Sequence, residues 1–433
     1  MVRRGPWLQI LVLAVVGLFA VLDRQILMLL IEPVKRDLNI SDTQVSLLIG
    51  AFVVFYSTVA LPLSRLADRW SRRGVILAGV LIWGLMTTAC GFAHGFWQLF
   101  VARMGVGLGE AAFSPAAYAL TAASTPRQRW GIALGALMVS SSAGFGLALL
   151  GGAAILAWSE RIARVDVPWV GQVAGWQMVF VVFGALTLMT LPALTLIRPA
   201  PQQQAAEPPS ERVWSRAWHE RWAYAAIFLA IPPGSLAAYG LLAWLPSYLI
   251  RTHGLTPVDT GVALGLITLV LGSLGILGGA LAIDRLRRQR ADAPLIVVTV
   301  GVALTGAAGV LLAAVDPSRE LALALAGLIV FAIGACTPAA PTALQLVTPD
   351  RHRAQVSALY LLLNGIVGMA GGPAAVALLT DHVFRSEGEV GLSMAVVATV
   401  GCGLAVGLLL VFRKAYQRLA ERAASAAGQN SEG

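Results

Sequence analysis

The sequence predicts an all-α polytopic membrane protein with twelve transmembrane helices in two pseudo-symmetric six-helix bundles. Three observations carry this reading. Of the 433 residues, 58% are hydrophobic and 12% are charged, with a mean hydropathy of +0.77, whereas a soluble globular domain carries about 25% charged residues. Apolar windows of about 20 residues, the length that crosses a bilayer as a helix, recur twelve times along the chain. The second half also repeats signatures of the first in the same order. Leu66-Ala67-Asp68-Arg69-Trp70-Ser71-Arg72-Arg73 is echoed by Ala282-Ile283-Asp284-Arg285-Leu286-Arg287-Arg288 at an offset of 216 residues. Ser114-Pro115-Ala116-Ala117 with Thr125-Pro126 is echoed by Thr337-Pro338-Ala339-Ala340 with Thr348-Pro349 at an offset of 223.

In chain order, the first six spans fall near 7–32, 43–66, 74–94, 96–120, 131–157 and 175–197. The second six fall near 223–250, 260–283, 293–315, 321–346, 355–379 and 390–412. The amino-terminal run imitates a signal peptide, but no small-residue cleavage site follows, so it reads as a retained first span. The expected organisation is a first bundle over 1–197, a linker over 198–222, a second bundle over 223–412 and a tail over 413–433. The linker begins as RPAPQQQAAEPP, a disordered-type composition. It continues as SERVWSRAWHERW, where Trp214, Trp218 and Trp222 repeat every four residues, the pattern of a short helix lying in the membrane interface.

Charge gives orientation and excludes other classes. Counted on alternate sides of the spans, Lys and Arg divide 22 to 7, with Arg24 and Arg103 inside spans. The basic excess places both termini and the linker in the cytoplasm. It also explains the formal charge of +9 without a nucleic-acid partner. Cys90, Cys336 and Cys402 are scattered, and the five histidines stand singly, so neither a disulfide framework nor a metal site is expected. Gly144-Phe145-Gly146 follows no strand, and no Gly-Lys-Ser/Thr loop exists, which argues against nucleotide as an energy source. Gly131/Gly135, Gly275/Gly279 and Gly368/Gly372 have the spacing of close helix packing.

The stretch Arg103–Pro115, RMGVGLGEAAFSP, places two full charges in an otherwise apolar span. Arg103 and Glu110 are seven residues apart, almost two turns, so they share one face about 10 Å apart along the axis. Each charge at the centre of a membrane helix costs roughly 2.5–3.5 kcal/mol on insertion scales, and such residues face a cavity or a partner. Gly105, Gly107 and Gly109 clear space around them, and Pro115 weakens the helix ladder just beyond. Span one adds the adjacent Asp23 and Arg24, whose side chains diverge by about 100°. The simplest assembly is a neutral cluster of all four. Asp23 and Glu110 are the proton-carrier candidates, because burial and arginine pull a carboxyl in opposite directions. Arg24 and Arg103 are the fixed counter-charges, and Arg24 can also take an anionic headgroup.

The second half has no charge inside a span. Its cavity candidates are Tyr239, Thr337, Tyr360 and Asn364, with Thr268 and Gln345 behind them, and it would supply an apolar wall. Pro232, Pro233 and Pro246 predict a bent or broken span seven. The duplicated Asp-Arg loops read as cytoplasmic latches. Asp68, with Arg69 and Arg72, would meet the start of span eleven near Arg353, and Asp284, with Arg285, the start of span five near Arg129.

These features resemble the major facilitator superfamily over the whole chain: twelve spans, a duplicated Asp-Arg loop and a long central linker. Ser64 and Ser71 stand where glycines are common in that loop. Leu22-Asp23-Arg24-Gln25-Ile26-Leu27 and Gly107-Leu108-Gly109-Glu110-Ala111-Ala112-Phe113-Ser114-Pro115 are similar to bacterial members of the spinster-type branch. The resemblance implies a proton-coupled secondary transporter of the bacterial inner membrane, not an enzyme. It would work as a monomer without a cofactor, on the proton gradient, by rocking of two bundles. The implied substrate is amphipathic, a lysophospholipid or sphingoid-type lipid, and Asp23, Arg24, Arg103 and Glu110 correspond to the branch's intramembrane charged set. The alternative cargo on the same fold is a drug-like molecule exported by antiport or a small organic anion taken up by symport.

Overall fold

The computed structural model describes residues 6–69, 71–125, 130–161, 165–167, 171–197, 220–314 and 317–432. In chain order the helices are α1 (Pro6–Leu29), α2 (Ile31–Leu38), α3 (Asp42–Arg69), α4 (Arg72–Cys90), α5 (Phe96–Ala111), α6 (Phe113–Ser124), α7 (Trp130–Arg161), α8 (Gly175–Leu188) and α9 (Leu191–Leu194). They continue as α10 (Arg221–Phe228), α11 (Ile231–His253), α12 (Pro257–Ile267), α13 (Ser273–Arg287), α14 (Ala293–Ala314), α15 (Arg319–Cys336), α16 (Ala339–Val347), α17 (Asp350–Asn364), α18 (Gly371–Leu378) and α19 (Val390–Glu432). Between α7 and α8 a short antiparallel hairpin pairs β1 (Val165–Val167) with β2 (Gly171–Val173), a feature that apolar windows do not reveal. Among the described residues ten helices are long and apolar enough to cross a membrane. Spans four and five are supplied by α5 with α6 and by α7, which is apolar through Ala143–Ser159.

Proline positions explain where spans break. Pro115 has no N–H to give Ala111 O, and span four divides there into α5 and α6, with Ala112 N bonding back to Gly109 O instead. Pro232 and Pro233 leave Phe228 O and Leu229 O without ladder donors, and span seven divides into α10 and α11. Pro338 divides span ten into α15 and α16, and Pro192 separates α8 from α9. Spans eight and eleven instead carry π-turns, Thr268–Gly272 and Gly365–Ala370, a geometry found mostly at functional positions.

Contacts group the chain into two units, Met1–Ala206 with Gly254–Leu269, and Glu207–His253 with Val270–Gly433. In the first unit α5 lies against α3 and α4, α7 against α1, and α12 against α7. In the second, α19 packs on α11 and α14. This last helix does not stop where the apolar run ends at 412. Residues 413–427 are rich in Ala and Arg, both strong helix formers. Tyr416, fully buried, donates to Ala343 O at 2.9 Å, and Arg422 meets Glu220 at 3.1 Å. Of the linker's interfacial segment only Glu220, Arg221 and Trp222 lie within the described residues, and Trp222 stacks on Phe412 at 5.8 Å.

Candidate functional site

Three glycines decide how closely α3 and α4 approach α5. A Cβ at Gly107 would strike the Phe52 carbonyl of α3, one at Gly105 the Met86 side chain, and one at Gly109 Gly79 O and Trp83 N of α4. Any larger residue would force backbone apart, so Gly107 and Gly109 keep α5 wedged between its neighbours. That wedge presses Phe52 and Trp83 against the charges.

Glu110 is the last residue but one of α5, at the break, where the carbonyl-rich helix end is a poor place for a carboxylate. Arg24 compensates: its Nη2 donates to Glu110 Oε2 at 2.9 Å. Glu110 is 1% exposed and Arg24 20%, so the pair is desolvated on one side and open on the other. The Arg24 guanidinium lies 4.7 Å from the Tyr56 ring centroid and 5.1 Å from that of Phe52, within cation–π range. Arg103, fully buried, sits 5.1 Å from the Phe52 ring centroid and donates to the Asp23 carbonyl oxygen at 3.5 Å. Phe52 is therefore a cation–π partner shared by the two arginines. Tyr56 also donates to Ser114 Oγ at 3.5 Å, at the start of α6.

Asp23 takes a different environment from Glu110. Its Oδ2 accepts two hydrogen bonds from α4, from Trp83 Nε1 at 3.0 Å and Thr87 Oγ1 at 2.8 Å. Among the described residues no cation reaches its carboxylate within ion-pair distance. Asp23 Oδ1, Glu110 Oε1, Arg24 Nε and Arg103 Nε are buried without hydrogen-bond partners. Four polar atoms of one cluster in that state is unusual, since buried polar groups are nearly always bonded.

The four predicted charges thus gather in one unit, as two coupled halves rather than one ring. Sequence reasoning missed Trp83, Thr87, Phe52, Tyr56 and Ser114. A signal for two of them existed: Gly79, Trp83 and Thr87 repeat every four residues on span three, one face that holds both the close-packing glycine and the two donors.

The other candidates are spread. Of the latch residues, the side chains of Asp68 and Arg69 and all of Arg129 lie outside the described residues. Arg72 is half-buried at the start of α4, and Asp284 and Arg285 are exposed at the end of α13. Asp284 makes no ion pair with a described residue, and Arg353 donates from Nε to Thr348 O at 3.1 Å, beside its own turn. In the second unit Tyr360 is buried, Tyr239 and Asn364 are half-buried, and Thr337 is exposed and donates to Ile333 O at 3.2 Å. Tyr360, Asn364 and Gly368 follow one another at four-residue steps, and Tyr239 packs against Gly368. Asn364, at the entry to the π-turn, has a buried Oδ1 without a partner. Among the described residues no group of His, Cys, Asp and Glu could hold a metal.

Comparison with known proteins fits this architecture. The sequence pattern of the Major Facilitator Superfamily matches residues 13–373. An MFS-type efflux pump of Mycolicibacterium smegmatis is 31% identical over 418 residues, 94% of this chain and 92% of that protein. A sphingosine-1-phosphate transporter of Xenopus tropicalis is 25% identical over 397 residues, 87% of this chain and 74% of that protein. The crystal structure of a bacterial homologue of the human lysosomal transporter spinster, inward-facing and unoccupied, superposes with a TM-score of 0.76 at 20% identity, covering 97% of this chain and 98% of that one. A match over most of the chain's length, on a fold of twelve spans with charges buried inside the first unit, leaves one conclusion: the chain belongs to the major facilitator superfamily and is a membrane transporter.

Proposed function

We propose that this transporter couples substrate movement to protons by alternating access, and that its cargo is an amphipathic, lipid-like molecule such as a lysophospholipid or sphingoid-type lipid. The observation that carries the reading is the Arg24–Glu110 pair, a fully buried carboxylate held by one guanidinium with its second oxygen unpartnered. A proton on Glu110 removes the charge that holds Arg24. The freed guanidinium then turns to the open side, where it can meet an anionic headgroup. Deprotonation reverses this. Arginine stays charged throughout, so the carboxyls are the switching groups and Asp23 is the second of them. The name of the 25% identical frog relative supports a lipid cargo. The 31% identical efflux pump favours a second reading, export of a drug-like amphipath by the same cycle. On either reading the chain resides as a monomer in a bacterial inner membrane with both termini cytoplasmic. Asp68 and Asp284, with Arg69, Arg72, Arg285, Arg129 and Arg353, close that side, and the bundles fall at 1–197 and 223–412 around the 198–222 linker.

The test is flux in sealed proteoliposomes with an imposed pH gradient. A fluorescent lysophospholipid, ethidium and a small dicarboxylate serve as parallel probes. Gradient-driven flux of the lysophospholipid is expected, falling at least tenfold in Glu110→Gln and losing its pH dependence in Asp23→Asn. Ethidium flux alone selects the export reading, dicarboxylate flux alone overturns the lipid assignment, and wild-type pH dependence in both variants overturns proton coupling.

A further inference from the structure

We propose that Trp83 and Thr87 are positioning residues that set the proton affinity of Asp23 and choose which of its oxygens takes the proton. The inference deepens the coupling role proposed above for Asp23 and rests on that reading. Its basis is the asymmetry of the carboxylate. Both α4 donors converge on Oδ2, and Oδ1 has no partner. The indole N–H can only donate, and with Thr87 on the same atom Oδ2 already accepts two hydrogen bonds that a proton there would weaken. Oδ1 is left as the proton-accepting atom.

Thr87 behaves differently from its neighbours, and the difference marks it. Many threonine hydroxyls inside these helices bond back to their own turn: Thr88 to Gly84 O at 2.8 Å, Thr121 to Ala117 O at 2.8 Å, Thr299 to Leu295 O at 2.7 Å. That local bond is the default for a helical threonine. Thr87 gives it up to reach across to α1. Trp83 and Thr87 are both fully buried, one helical turn apart, so water does not substitute for either donor.

Four other charged or titratable groups face Asp23. Arg24 follows it on α1, Arg103 and Glu110 approach from α5, and Cys90 lies one turn beyond Thr87 on α4. The arginines supply fixed charge, and Glu110 is engaged by Arg24. The donors of α4 are therefore the uncharged means of adjusting Asp23 separately from Glu110. A hydrogen bond to an ionised group favours the ionised form, so each one removed moves the protonation midpoint upward by about one pH unit.

The experiment is infrared difference spectroscopy of the purified full-length protein in lipid, titrated with pH and read at the protonated-carboxyl stretch. Asp23→Asn identifies the Asp23 band, and pH profiles of lysophospholipid flux are measured in parallel. Thr87→Val, which keeps the shape and removes the hydroxyl, is expected to raise the midpoint of that band by about one pH unit. Thr87→Ser is expected to restore it, and Trp83→Phe to raise it similarly. The flux profiles of the donor variants should move with the band. Unchanged midpoints in both donor variants, or no Asp23 band at any pH, overturn the inference. A band that shifts as expected while Asp23→Asn transports with the wild-type pH profile supports the donor role and overturns the coupling role of Asp23. Thr87→Val is the deciding variant should Trp83→Phe fail to fold.

Discussion

Spans four and ten are two versions of one design. Both are broken beside a proline of the repeated Ser/Thr-Pro-Ala-Ala element, into α5 and α6 and into α15 and α16. Both meet the helix before them through small residues: Gly79 against Gly109 in the first unit, Gly301 against Ala332 in the second. Gly109 and Ala332 are 223 residues apart, the offset of the sequence echo. The chemistry has diverged on this shared frame. At the same offset Arg103 and Glu110 become Ala326 and Ile333. One repeat shift further along span nine, Thr305 stands for Trp83 and Gly309 for Thr87, and the Thr305 hydroxyl bonds to its own Gly301 O at 2.9 Å. The helix break is therefore shared by the two units, and among the described residues the charge cluster with its donors belongs to the first. The second unit's buried charge is elsewhere. Asp292, fully buried, precedes the first residue of α14 and is held by Arg413 of α19 and by Arg290 at 3.4 Å. It acts as a helix-end anchor.

The largest expected effect comes from breaking the charged pair that only span four has. Arg24→Met leaves Glu110 buried and uncompensated, a change that costs about 3–5 kcal/mol when a buried pair loses one member. Thermal unfolding in detergent should show a large drop in melting temperature. Arg24→Met with Glu110→Gln should recover most of that stability without recovering proton-driven flux. A double variant as unstable as Arg24→Met would mean that the arginine acts through its contact with Phe52 and Tyr56 instead of through charge.

Next in size is the seam. Gly109→Ala places a methyl group against Trp83 N and Gly79 O, backbone atoms that do not yield, and overpacking of this kind costs about 1–3 kcal/mol. Because the same helices hold Trp83 and Thr87 against Asp23, flux should fall as well. In the second unit Ala332 already carries that methyl, and Ala332→Gly should cost only about 1 kcal/mol and leave the pH profile of flux unchanged. Equal losses of coupling in the two variants would erase the distinction between the units.

How much of this was legible in the chain follows from the range of each signal. The spans, the breaks at Pro115 and Pro232-Pro233, and the grouping of Asp23, Arg24, Arg103 and Glu110 are read from residue types a few positions apart, or from the cost of a charge in lipid, whereas the break at Pro338 was not expected. The pairing within the site was not legible. That Arg24 takes Glu110 while Asp23 turns to α4 depends on the rotation of α1 about its axis, which three packed helices fix together. Trp83 and Thr87 were hidden because a tryptophan and a threonine in an apolar span carry no insertion penalty large enough to flag them. The extension of α19 was hidden because its hold on the second unit, through Tyr416, Arg413 and Trp222, spans long sequence separations.

The smallest expected effect sharpens the comparison most. Thr305 occupies the place of Trp83 in the second unit, buried, with its hydroxyl bonded to its own helix. Thr305→Val removes a hydrogen bond whose acceptor, Gly301 O, is already engaged by the helix ladder. The stability change should stay within about 1 kcal/mol, and the pH profile of flux should match wild type. Thr87→Val deletes a threonine hydroxyl on the first unit's matching span, one turn beyond Trp83, where it touches a carboxylate, and should move that profile by about one pH unit. The two variants differ in what the hydroxyl bonds to. A matching shift in both would trace the pH response to helix packing, and a shift in Thr87→Val alone would trace it to the Asp23 carboxylate.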